Sequence, residues 1–381
     1  MNFTNNTFFA ILISVCASTA ASLIGADTLG MSPAPKNAAM VKNGFAPINP
    51  AANAFENKTK FGATIQYEYA SAQGKNNSIS LSSFDIPSMS MILPFGFFGT
   101  LGIGLNQMYS ANNRLELEDE TSNILLLSRI GLYELTPSYS IRLPFFLSDF
   151  AIGTSYRIFF GNSYYALTRS KSDEWGKDSW MANNVLITEK KTSTFNSDDN
   201  WWKNFGYSIH FHKKSTDYFV SYFPPVQMQK NIRENKQFNN TDTLQSSKIT
   251  EDFNLPKHLA SGIHFRFLQN QNLSLVYEQQ NEAFSGLVEY KLTGTGLYYS
   301  TFLKRNNFGI NAWYAEKYLK DVNEYGASLL SDMWLGRRGT LVGFSLFGGY
   351  RQAKDYWNEP FFGFELNLTG VGNWGTSARR R

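Results

Sequence analysis

The amino-acid sequence predicts an all-β protein, a transmembrane antiparallel β-barrel of about 14 and up to about 16 strands. Three observations carry this. The 381 residues include 32 Phe, 20 Tyr and 8 Trp, while Asp, Glu, Lys and Arg together make only 17%; that composition excludes a disordered chain or a coiled coil. Apolar and polar side chains alternate with a period of two along most of the chain, as strands with one apolar face require. Finally, the chain opens on a secretory-type segment and afterwards offers no helix able to span, so only a closed barrel satisfies every backbone group in lipid. A soluble sandwich also alternates, but it does not account for the aromatic excess, which a barrel places in two girdles.

The first element is residues 1–26. Phe8 to Ala26 reads FFAILISVCASTAASLIGA, a short apolar run fading into small residues, and is expected to be a signal peptide removed on export. The alternative is an N-terminal membrane anchor, since MNFTNN has no Lys or Arg, and the cut could also fall near Ala20 or Ala21. Cys16 is the only cysteine, so the processed chain would hold neither disulfides nor thiolate zinc sites. Val15 before it, where a small residue is wanted, argues against lipidation. The formal charge of +4 is spread along the chain with no basic block among aromatics, which argues against nucleic acid as a partner.

Residues 27–57 form a distinct second element, small in character and broken by Pro33, Pro35, Pro47 and Pro50, unable to make a stable helix or strand alone. The barrel is expected over 58–370 and a basic tail over 371–381. Within the barrel, the charge-free stretch around MSMILPFGFFGTLGIGL is long enough for a spanning helix, but Pro94, Gly96, Gly99, Gly102 and Gly104 suit a hairpin instead, with its turn at Leu93-Pro94-Phe95-Gly96. Elsewhere the alternation assigns faces. Phe61, Ala63, Ile65, Tyr67 and Tyr69 oppose Gly62, Thr64, Gln66 and Glu68; Leu259, Ser261, Ile263, Phe265 and Phe267 oppose Ala260, Gly262, His264 and Arg266; Phe362, Phe364, Leu366 and Leu368 oppose Gly363, Glu365 and Asn367.

Runs of this kind lie near 60–70, 79–93, 98–110, 130–142, 149–160, 185–196, 201–213, 216–224, 245–254, 257–268, 272–280, 286–303, 307–318, 323–334, 339–351 and 360–369. That is a raw count of about sixteen, and merging of some runs gives fourteen, an even number as single-chain barrels favour. Polar connections at 169–184, 228–244 and 111–123 are expected outside, and short turns at 93–99, 143–148 and 269–272 on the periplasmic side. A weak repeat, a glycine followed by an aromatic as in Gly104 to Tyr109 and Gly309 to Tyr314, marks successive hairpins. The polar face places Gln66, Glu68, Arg157, His210, His212, His264, Arg266, Arg351, Glu365 and Asn367 in the lumen.

Little in this inventory suggests chemistry. His210 and His212 share a strand face and could supply half a metal site, but no further ligand motif accompanies them, so no metal or cofactor is expected. Glu116, Glu118, Asp119 and Glu120 lack the glycine-punctuated loop of a calcium site and suit a solvated loop. No serine sits in a G-x-S-x-G elbow with an interpretable histidine, so no enzyme is expected. Trp175, Trp180, Trp201 and Trp202 could grip a ligand at the barrel mouth, although an interfacial girdle suits them better.

Three short segments resemble one family. Ile48-Asn49-Pro50-Ala51-Ala52-Asn53-Ala54 resembles the Asn-Pro-Ala segment of the outer-membrane FadL-type transport family and of related type IX secretion barrel proteins. Phe253 to Ile263, with Pro256 entering a strand and Gly262 following, is similar to a second family pattern, and Leu93-Pro94-Phe95-Gly96 with Leu101-Gly102-Ile103-Gly104 to a third. The resemblance implies a fourteen-stranded barrel whose N-terminal segment folds into the lumen as a hatch. Here that segment would be 27–57, with Asn49, Pro50 and Ala51 at the turn into the wall; a plain extended leader is the other reading. It implies passive uptake of hydrophobic small molecules, and as partners outer-membrane lipid, a hydrophobic ligand and the outer-membrane assembly machinery. The alternative is a non-transporting scaffold for secretion or surface attachment, which a sealed polar lumen would favour.

Overall fold

The computed structural model describes residues 48–372, apart from 74–77, 120–121, 144–148, 172–184, 198–203, 214, 239–244, 269–270, 281–282, 294–306, 317–321, 336–339 and 354–356. The expected signal peptide, most of the 27–57 segment, the C-terminal tail beyond 372, and Trp175, Trp180, Trp201 and Trp202 therefore lie outside the described residues, while 371–372 of the expected tail end the last strand. A 3₁₀ turn, Pro50–Phe55, leads into the sheet. The strand segments are β1 Thr59–Gln73, β2 Ser78–Pro94, β3 Thr100–Asp119, β4 Ser122–Arg142, β5 Phe150–Tyr156, β6 Ile158–Lys171, β7 Val185–Ser197, β8 Phe205–Lys213, β9 Thr216–Phe223, β10 Val226–Phe238, β11 Gln245–Leu255, β12 His258–Leu268, β13 Gln271–Gln280, β14 Ala283–Thr293, β15 Asn307–Glu316, β16 Val322–Leu335, β17 Thr340–Ala353 and β18 Trp357–Gly372.

Every pairing is antiparallel, and β1 pairs with both β2 and β18, so the sheet closes on itself. Eight of the segments are halves of interrupted strands. β4 pairs with both β5 and β6; β5 then pairs with β8 and β6 with β7, β9 with β8 and β10 with β7, β12 with β9 and β11 with β10. The barrel is thus a closed one of 14 strands, four of them broken at a common level. No helix among the described residues is long and apolar enough to cross a membrane.

Two expected loops are strand. Residues 228–238 belong to β10, hydrogen-bonded to β7 on one side and β11 on the other, and 111–119 extend β3 against β4. Both are polar, and a run of polar residues carries no apolar alternation by which a strand is read from sequence. β10 is held by a ladder on each side and 111–119 by the ladder to β4, and backbone pairing continues beyond the apolar belt whatever the side chains are. The β2–β3 turn does lie where the glycines and proline suggested: Phe95 N–H donates to Gly99 O at 2.8 Å, and Gly96 and Gly99 have φ of 65° and 93°, a region that side-chain-bearing residues avoid.

Alternation sorts the wall into two faces. On β9, Asp217, Phe219, Ser221 and Phe223 are buried inward while Tyr218, Val220 and Tyr222 are exposed outward. The outer face repeats this on other strands, with Tyr207, Ile209, Leu275, Tyr277, Phe308, Ile310, Leu329, Phe344, Leu346, Phe362 and Phe364 all exposed. An apolar belt of this extent is stable in lipid and not in water. Aromatic pairs tie neighbouring strands across it, as in Tyr67 stacked on Phe364 at 5.5 Å and Phe284 against Tyr314 at 5.4 Å, contacts that add to the ladder.

Candidate functional site

The interior is organised in three levels. At the end that carries the β2–β3 turn, the 3₁₀ turn lies inside the barrel against β3, β4, β5 and β8. Ala51 N–H donates to Ser208 Oγ at 2.7 Å, and Asn49 Nδ2 meets His210 Nδ1 at 3.0 Å. Pro50, Ala51, Ala52 and Asn53 are all buried. Gly153 lets this happen, because a Cβ there would collide with the backbone of Ala51. His210 and His212 both reach Asp217, and the Phe55 ring packs against both imidazoles with the Arg142 guanidinium 5.4 Å from its centroid. The two histidines thus pack against the 3₁₀ turn; among the described residues no cluster of ligands able to hold a metal exists.

Further along the same strands is the level of the breaks. Pro224 and Pro225 separate β9 from β10, and Pro256 and Lys257 lie opposite them between β11 and β12, since Phe223 pairs with His258 and Val226 with Leu255. Proline has no N–H to give to a ladder. On the neighbouring strands the break falls at Arg157 and just before Phe205, bridged by Arg157 N–H donating to Asn204 O at 3.0 Å. Arg157 pairs with Glu134, both almost fully buried, and its guanidinium lies 4.7 Å from the Phe159 ring and 5.2 Å from that of Phe223. Leu132, Phe159, Val226, Met228 and Leu255 form an apolar cluster here on the inner wall.

The third level lies toward the opposite end. Arg351 donates to Glu68 at 2.7 Å, Glu324 at 2.7 Å and Glu359 at 2.5 Å. Trp313 Nε1–H donates to Glu324 at 3.0 Å, and the Phe361 ring covers the guanidinium at 4.1 Å. These groups sit on β15, β16, β17, β18 and β1, consecutive around the wall, so the network runs along the wall rather than across the lumen. A second apolar cluster lines the same side, including Phe219, Val276, Leu287, Trp313, Phe347 and Phe361.

The remaining sequence-predicted lumen residues are scattered among these levels. Gln66 donates to Glu68 at 3.2 Å, Glu365 accepts from Asn367 at 2.6 Å, His264 is bonded to Ser274 at 2.7 Å, and Arg266 is exposed near the turn before β13 with Asn272 3.4 Å away. What the sequence reading missed is the inward-facing apolar set and the acidic partners Glu134, Asp217, Glu324 and Glu359. Their parity along each strand was available; their cross-strand partners were not. Met228 was hidden by its place in a supposed loop.

No protein-family model matches the sequence, and no curated protein does. Solved structures do. A FadL homologue of Pseudomonas aeruginosa superposes with a TM-score of 0.61 at 9% identity, covering 94% of this chain and 100% of that one. The Pseudomonas putida toluene transporter TodX gives 0.54 at 10% identity over 94% and 100%. The monoaromatic hydrocarbon channel CymD gives 0.54 at 10% over 91% and 98%. The chain has the FadL-type fold. The likeness spans the barrel from end to end, so the internal 3₁₀ turn, the broken strands and the apolar inner clusters are features of this sequence set within that architecture.

Proposed function

We propose that this protein is an exported outer-membrane channel for passive uptake of hydrophobic small molecules, inserted by the barrel assembly machinery and without enzymatic activity. The observation that carries this reading is the apolar lining: Leu132, Phe159, Val226, Met228 and Leu255 lie on the inner wall, where a water-filled pore would have polar side chains. An apolar solute gains by leaving water for such a surface, and a lining of shallow contacts lets it leave again. The 3₁₀ turn lies inside one end of the barrel and the breaks lie between it and this lining, so a solute moving from the lining toward the turn passes the level where the ladder is interrupted. The fold, shared with transporters of hydrocarbons, supports the same reading.

The experiment is uptake of ethylbenzene into proteoliposomes carrying the wild-type barrel, compared with protein-free vesicles and with Gly153→Val. The wild type should accelerate entry. Displacing the 3₁₀ turn by the added side chain at Gly153 should raise single-channel conductance, and deletion of residues 27–47 should act in the same direction. Ethylbenzene entry no faster than in empty vesicles would leave the scaffold reading in its place.

A further inference from the structure

We infer that the strand breaks form a binding site for the polar group of a mostly apolar ligand, and that this group is a neutral hydrogen-bond acceptor such as a ketone or ester carbonyl. The inference rests on the channel reading above and deepens it. Four buried side-chain atoms at this level have no hydrogen-bond partner: Ser155 Oγ, Arg157 Nη1, Asn204 Nδ2 and Ser221 Oγ. Their residues are 2%, 4%, 3% and 1% exposed. All four atoms can donate, two of them only donate, and buried donors left unpaired are rare because each forfeits its bonds to water.

The four are gathered around one ring. Phe223 lies over Gly206, and Ser155 Oγ is 3.0 Å from where a Cβ at Gly206 would stand. Ser155 pairs directly with Gly206 across β5 and β8. The Arg157 guanidinium is 5.2 Å from the Phe223 ring, Asn204 is joined to Arg157 through the backbone, and Ser221 precedes Phe223 on the same inward face. Because Gly206 has no side chain, the Phe223 ring lies directly over its backbone and beside Ser155. The apolar cluster of Phe159, Val226, Met228 and Leu255 adjoins it and would take the rest of the ligand.

Charge decides which acceptor fits. Arg157 is already paired with the buried carboxylate of Glu134, so the pair carries no net charge. A carboxylate entering here would lose its hydration, an unfavourable step for an ion, and would face Glu134 as well as Arg157. A bare hydrocarbon would leave the four donors unmet. A carbonyl oxygen, neutral and with two lone pairs, loses little water and satisfies two of them.

The test is calorimetric titration of the purified barrel in detergent, referenced to protein-free micelles, with acetophenone, ethylbenzene and benzoate. Acetophenone should bind about tenfold tighter than ethylbenzene, one net hydrogen bond's worth, and benzoate weakest. In Asn204→Leu and in the double variant Ser155→Ala/Ser221→Ala, the ratio of acetophenone to ethylbenzene affinity should fall to about twofold or less. Heat-modifiable gel mobility checks that each variant is folded, and because the two variants alter different strands, loss of one fold leaves the other to decide. Equal affinities for acetophenone and ethylbenzene in the wild type, tighter benzoate, or an unchanged ratio in the folded variants would overturn the carbonyl site while leaving the channel intact. Absence of binding by all three probes, with no ethylbenzene uptake, would overturn both.

Discussion

Arg351 and Arg157 are the two deeply buried arginines of the described interior, and both lie over phenylalanine rings, yet they are used in opposite ways. Arg351 gives its Nε, Nη1 and Nη2 to three glutamates on β16, β18 and β1, strands that run unbroken. Arg157 spends its Nε on Glu134 alone, keeps Nη1 unpartnered, and stands where its own strand is interrupted. The first arrangement ties four neighbouring strands together at a level where they carry a continuous ladder. The second leaves hydrogen-bonding capacity unused beside an apolar cluster, at the level where the ladder fails. Equal burial therefore does not mean equal purpose: the saturated guanidinium is part of the wall, and the unsaturated one belongs to the proposed carbonyl site.

The largest effect expected from this contrast is on stability. Arg351→Met strands three buried carboxylates and should cost at least about 3–5 kcal/mol, read from urea unfolding in lipid vesicles followed by tryptophan fluorescence; a loss below about 1 kcal/mol would remove the distinction between the two arginines. The inward placement of both rests on the face assignment, which Phe364→Arg tests from outside: an outward charge near the midplane should cost about 2–4 kcal/mol, and Glu365→Ala, on the opposite face of the same strand, clearly less in the same titration. Trp313→Phe removes one donor from Glu324 and should cost about 1.5 kcal/mol, sharpening how far the Arg351 network depends on its neutral partners. The smallest change is expected for the double variant Arg157→Met/Glu134→Met, which replaces an isolated buried pair by apolar side chains and should stay within about 1 kcal/mol of the wild type. A loss comparable to that of Arg351→Met would mean that the Arg157 pair too is a structural clamp.

The sequence determined by itself which way each strand residue points. Side chains alternate along a strand whatever it pairs with, so Phe362 and Phe364 were legible as outward and Glu68, Arg157, His210 and Arg351 as inward from the local pattern alone. It also placed run ends at 224 and 254 and a new run from 257, next to Pro225 and Pro256. Only the tertiary structure decided what those inward residues meet and what those breaks become. Arg351 lies opposite Glu324 on one side and Glu359 on the other, pairings set by the register of β17, and register depends on turns and on neighbours far away in sequence. In the same way β9 and β10 are one spanning strand because β8 and β7 lie beside them in line, so Pro224, Pro225 and Pro256 fall together at one interrupted level. The polar run 228–238 is strand for the same reason: closure supplies both of its neighbours, and backbone pairing, which no side-chain pattern records, holds it there.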